Sequence, residues 1–99
     1  MRRSLEDIMA VLKERREDLG QYGVRRLAVF GSQVRGDALA GSDLDFLVEF
    51  EKKSFDAYME LKFFLEELFG ASVDLVISDT LKPRLRDKIL KETVDVPGL

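Results

Sequence analysis

The stretch GSQVRGDALAGSDLDFLVEF, Gly31 to Phe50, sets two carboxylates, Asp43 and Asp45, inside what otherwise reads as a buried β-strand. Asp is depleted in strands, and an unpaired buried carboxylate is costly, so the pair needs a reason. Alternate residues of a strand share a face. Leu44, Phe46, Val48 and Phe50 therefore point to a core, and Asp43 and Asp45 point away from it. A later segment, SVDLVIS, repeats the arrangement, with Val73, Leu75 and Ile77 on one face and Asp74, Val76 and Ser78 on the other. If the two strands are neighbours with matching faces, three carboxylates converge. Like charges at that range repel, and a divalent cation removes the repulsion. A set of oxygen ligands suits Mg²⁺ or Mn²⁺. A bare D-x-D facing solvent is the simpler account. Leu47 and Val76, on the same faces as the acids, count against it, as does the third acid.

Upstream, Gly31 and Ser32 end another apolar segment, RRLAVF. Glycine lets backbone N–H groups approach a phosphate closely, and a serine hydroxyl adds a donor. A helical turn opening after Ser32 would add free N–H groups. Arg35 is placed to reach a phosphate, and Gly36 to allow a second close approach. Taken alone, each feature reads better as a plain turn or a solvated charge.

The rest of the chain bounds the answer. Its 99 residues are 45% hydrophobic and 35% charged, with a net charge of −3, the composition of one folded domain spanning 1–99. Cys and His are both absent, which excludes disulfides, thiolate nucleophiles, Ser-His catalysis and the usual zinc ligands. Catalysis must rest on carboxylates, hydroxyls, Arg or Lys and bound metal. The negative charge argues against a long nucleic-acid track. No apolar run suggests a membrane span or a signal peptide, so a cytoplasmic protein is expected.

Ser4, with Asp7 at the third helical position, caps a first helix predicted to run to Gly20. GQYG is a turn. The strands are RRLAVF, SDLDFLVEF and SVDLVIS. Ser54 caps a second helix over 55–69, ended by Gly70. DTLKPRLRDKILKET reads as a third helix with Pro83 in its first turn, and VDVPGL is left unassigned. The order α-β-β-α-β-α implies an α/β (α+β) fold, a small mixed sheet with helices packed against it. On the second helix Phe55, Met59 and Phe63 fall opposite the core-facing side. Either the tail, with Val94, Val96 and Leu99, or the loop after Phe50 covers them, or they dock another chain.

The combined motif Gly31-Ser32, ten residues, Asp43-Leu44-Asp45 resembles the signature of the DNA polymerase β nucleotidyltransferase superfamily. The longer string is similar to its minimal nucleotidyltransferase (MNT) group, and the resemblance covers nearly the whole chain. It implies a nucleotidyltransferase fold in which Gly31, Ser32, Arg35 and Gly36 hold a nucleoside triphosphate. Asp43, Asp45 and Asp74 would bind two Mg²⁺ ions, or Mn²⁺, and carry catalysis. It also implies a partner, since MNT proteins commonly accompany HEPN-domain toxins as antitoxins, and some adenylylate a HEPN tyrosine using ATP. The expected activity is thus a protein adenylyltransferase. The alternatives are an antitoxin acting by binding alone and nucleotidyl transfer to a small molecule. A homo-oligomer is compatible with all three. The chain departs from the group at Gln33-Val34, where many relatives carry Arg and a small residue. It also lacks the second, helical domain of larger relatives, which makes the small-molecule alternative the weaker one.

Overall fold

Five apolar residues in the segment Leu44–Phe50 and four in Val73–Ile77 draw these two strands side by side, and the core is arranged around that pair. The computed structural model describes residues 4–35, 43–52 and 54–97, without the side chain of Ser32. Its elements are α1 (Leu5–Glu14), α2 (Arg16–Gln21), β1 (Val24–Phe30), α3 (Ser32–Arg35), β2 (Leu44–Phe50), α4 (Phe55–Phe69), β3 (Val73–Ile77), a 3-10 turn (Ser78–Thr80), α5 (Pro83–Leu90) and β4 (Val94–Asp95). The sheet order is β3-β2-β1-β4. β1 runs antiparallel to both β2 and β4, and β2 runs parallel to β3. This is the expected mixed sheet with one more strand.

The helices begin and end where local chemistry dictates. Ser4 Oγ accepts from the Asp7 N–H at 3.1 Å, and Asp7 returns the bond to the Ser4 N–H at 3.3 Å, a reciprocal cap. Ser54 Oγ accepts from the Ala57 N–H at 3.0 Å. Gly70 ends α4 at φ 61°, ψ 34°, a left-handed conformation that suits glycine. One side of α4 supplies Leu61, Leu65 and Phe69, which join Ile8 and Leu12 of α1 and Leu19 of α2 over the sheet. Within this core the Phe46 and Phe69 rings stack with centroids 6.0 Å apart.

Three expectations are corrected. The first helix breaks at Arg15, where φ −105° and ψ 15° leave the helical region. No glycine or proline marks the break. Instead, the end of α2 is drawn towards α4, where the Tyr22 ring lies 5.2 Å from Phe64. The last helix starts at Pro83 rather than Asp79, because a residue before proline is held extended and Lys82 sits at ψ 145°. The unassigned tail becomes β4, with Val94 opposite Val29 and the Val96 N–H donating to Leu27 O at 2.9 Å. Val94 and Val96 therefore do not cover the outer side of α4; Leu99 lies outside the described residues. Phe55 and Phe63 remain 76% and 58% exposed.

Chain direction settles which face each connection crosses. β4 is parallel to β2 and β3, because both it and β2 oppose β1. The connections β2-α4-β3 and β3-α5-β4 are thus parallel crossovers running in opposite directions across the sheet. Crossovers of this kind are right-handed as a rule, and two that run in opposite directions then carry their helices on opposite faces. α4 also closes the outer edge of β3. Tyr58 Oη donates to Leu75 O at 2.7 Å, and the Val73 N–H donates to Glu66 Oε2 at 3.1 Å. The edge is thereby denied to another strand.

Urea denaturation tests this division of α4. Phe69→Ala should lose about 3–5 kcal/mol, as a large buried aromatic does. Phe63→Glu should stay within about 0.5 kcal/mol of the parent. A large loss at Phe63 would show that its face is covered.

Candidate functional site

The register of the sheet builds the site. Phe30 of β1 pairs with Asp45 of β2, and Asp45 pairs with Asp74 of β3. Parallel pairing in register puts Asp45 and Asp74 on the same face, the one turned away from the core. One residue beyond Phe30, the chain turns at Gly31 with φ 79°. A Cβ at this position would lie 3.1 Å from Asp45 Cγ and 3.3 Å from its Cβ, and would collide with Oδ2. Glycine is required here twice, by its backbone angle and by the carboxylate packed against its Cα.

The turn continues directly into α3. The N–H groups of Val34 and Arg35 both donate to Gly31 O at 3.1 Å. Those of Ser32 and Gln33 come before the first intrahelical bond and have no carbonyl within the turn to meet. Arg35, at the end of α3, extends a half-exposed guanidinium whose Nη1 lies 3.5 Å from Glu92 Oε2. Glu92 stands just before β4, so the last crossover returns to the site.

Electrostatics tie the same residues together. Asp45 is held above the ordinary carboxylate value, first by burial, then by the negative charges of Asp74 and Asp43. Arg35 opposes these effects and pulls it down. Four of the sequence-predicted residues, Asp43, Asp45, Asp74 and Arg35, are therefore close enough to sense one another. Asp43 is found one residue before β2 rather than inside the strand, and it is exposed, as is Asp74. Among the described residues no three acids stand within reach of a single ion as the side chains lie. The donor set is nevertheless all oxygen, which suits a hard divalent cation. Gly36 and the side chain of Ser32 lie outside the described residues.

Some features of the face carried no signal in the sequence. Gln33 is buried despite its polar side chain, and Glu92 becomes the partner of Arg35 only because the tail forms a strand. At the other end of the face Arg26 holds Asp95 in a two-point ion pair at 2.9 and 3.2 Å, with Glu49 at 3.5 Å. Ser78, on the same alternation as Asp74 and Val76, buries its hydroxyl without a hydrogen-bond partner.

No helix among the described residues is long and apolar enough to cross a membrane. The family model for the nucleotidyltransferase domain matches residues 8–96. A protein named protein adenylyltransferase MntA, from Thermococcus cleftensis, is 42% identical over 95 residues, which covers 94% of this chain and 96% of that protein. A solved structure described as a candidate minimal nucleotidyltransferase is 41% identical, covers 87% of this chain and 93% of its own, and has a TM-score of 0.72. The fold is also that of the structure of a tri-AMPylated Shewanella oneidensis HEPN toxin in complex with MNT antitoxin, at 18% identity and a TM-score of 0.65, covering 92% of this chain and 73% of that one. The mixed sheet, the Gly31 turn set against Asp45, and these likenesses agree: the chain belongs to the nucleotidyltransferase domain family, in its minimal group, and is a nucleotidyltransferase.

Proposed function

We propose that the chain moves AMP from ATP onto a hydroxyl of a partner protein, and that the partner is a HEPN-domain toxin neutralised by the transfer. The observation that carries this reading is the packing of the Gly31 turn against Asp45, with Asp74 beside it in register. A backbone that a phosphate can approach closely thus adjoins a row of carboxylates. The resemblance to an adenylyltransferase over nearly the full length of both chains supports AMP as the group and protein as the acceptor.

In this reading the backbone at Gly31 and Ser32 holds the triphosphate, and Arg35 leaves Glu92 to pair with a phosphate. The resemblance implies a part in that contact for Gly36 and the Ser32 hydroxyl as well. Asp43, Asp45 and Asp74 would hold one or two divalent cations, Mg²⁺ or Mn²⁺, which supply charge neutralisation at the triphosphate and acidify the acceptor hydroxyl. Asp74, exposed at the rim, takes the proton of that hydroxyl, a tyrosine of the partner. The hydroxyl oxygen bonds to the α-phosphorus as pyrophosphate departs. ATP and such a partner place the reaction in the cytoplasm. A second reading, an antitoxin that acts by binding alone, is favoured by the absence of three acids poised around one ion among the described residues.

Incubation with labelled ATP, Mg²⁺ and the HEPN protein encoded beside it should add AMP to that protein, read by intact mass. Asp45→Asn should lower the rate by about 100-fold or more, because a metal-held charge contributes several kcal/mol. If Asp45→Asn transfers nothing yet still protects cells from the toxin, the binding reading replaces the catalytic one.

Stability should respond to Asp45 with the opposite sign. Its folded carboxyl holds a proton more tightly than the unfolded one, whose ordinary value is 3.8. Its stabilising contribution is therefore complete below that value and is lost as pH rises through the raised folded value. In chelator at neutral pH, Asp45→Asn should melt above the parent, and the difference should vanish below pH 3.8. An unchanged or lower melting temperature at neutral pH would contradict the strained carboxylate.

Gly31→Ala should cost at least about 1–2 kcal/mol from the left-handed backbone alone. It should also remove nucleotide binding, measured by calorimetry with MgATP, because the new methyl displaces Asp45. A variant that binds as the parent does would show that the close approach is dispensable.

A further inference from the structure

Two helical surfaces are left uncovered among the described residues, and their chemistries are opposite. Residues of α4 advance ~100° each, so Phe55, Met59 and Phe63 form one ridge. Asp56, Glu60 and Glu67, all exposed, line one side of it. On α5 every residue from Pro83 to Lys88 is exposed, and none of the helix is fully buried. Leu85, 49% exposed, stands on its outer side next to Arg84, Lys88 and Lys91. Among the described residues none of these acids or bases takes part in an ion pair, whereas Arg15, Arg26 and Arg35 each do.

We propose that the two surfaces are halves of one contact, in which the basic face of α5 in one copy of the chain seats on the acidic, aromatic face of α4 in a second copy. The α4 half sets its apolar ridge beside three exposed acids, with Lys62 on the other flank, and the α5 half sets one exposed leucine near three bases, with Asp87 at the edge of the row; the prevailing signs are opposite. Neither half pairs with itself, since two α4 faces bring acids together and two α5 faces bring bases together. The contact is therefore head-to-tail. The two faces belong to separate helices, so a single copy offers both at once. Such an arrangement closes into a ring or continues as a stack. An eight-residue helix buries less than the about 1,200–2,000 Å² of stable complexes, so the association is weak and depends on concentration. With Lys and Arg supplying much of it, the association is also sensitive to salt.

Sedimentation equilibrium of the full chain and two variants tests the proposal. In low salt the parent's average mass should rise above 11.3 kDa with concentration. It should return to the monomer in about 1 M salt, where the Debye length is ~3 Å. Phe63→Glu breaks the α4 half, and Arg84→Glu with Lys88→Glu breaks the α5 half. Each should be monomeric alone and should melt with the parent, since these side chains are exposed. An equimolar mixture keeps one intact half of each kind. It should form a 1:1 dimer that grows no further, a signature that only a head-to-tail contact gives. A parent that stays monomeric at every concentration overturns the proposal, as does a mixture that fails to dimerise or a variant that still associates. If the parent is monomeric alone but binds the HEPN protein through these same residues, the surfaces belong to that partner and the self-contact is refuted.

Discussion

A side chain at position 31 and the carboxylate of Asp45 cannot occupy the same space. With glycine there, the end of β1 can close on the start of β2, where backbone pairing holds it. That closure places the turn that opens α3, and it sets the backbone of the Gly31 turn against an acid rather than against the core. The antiparallel pairing of Phe30 with Asp45 brings the two into contact, and parallel pairing carries the alignment one strand further to Asp74. The site is thus a row across three adjacent positions of one sheet. Its precision comes from backbone hydrogen bonds rather than from flexible loops.

The row is energetically unfavourable in isolation. Asp45 is partly buried beside two like charges, and among the described residues the cation that opposes them is Arg35, itself held by Glu92 from across the fold. The fold tolerates the cost because the opposite face of the same strands is a dense apolar core, with Phe46 and Val48 of β2 packed under Leu61, Leu65 and Phe69 of α4. Structure that carries the strain and structure that provides the stability share the same residues in alternation, one facing each way.

Much of this arrangement was legible in the chain. The spans of α4 and the first turn of α1 follow from caps that act within three residues. The two faces of β2 and β3 follow from a period of two. Asp74 could be matched to Asp43 and Asp45 because it is the only acid in an apolar strand. The break at Arg15 was not legible, since no residue there disfavours a helix; beyond it α2 leads to the contact of Tyr22 with Phe64, a contact between distant segments. Nor was β4, a two-residue strand whose pairing groups are backbone atoms common to any sequence.

The sequence by itself determined most of the elements and pointed to the residues of the candidate site, because caps, alternation and the Gly31-Ser32 to Asp43-Asp45 spacing are local properties of neighbouring residues. Only the tertiary structure decided how those elements meet. The parallel register that sets Asp45 against Asp74 needed the whole sheet, and so did the pairing of β4 with β1. The return of Glu92 to Arg35 across 57 residues required the same assembly. These are contacts between segments distant along the chain, and their energies depend on chain direction, handedness and packing, none of which a local pattern encodes.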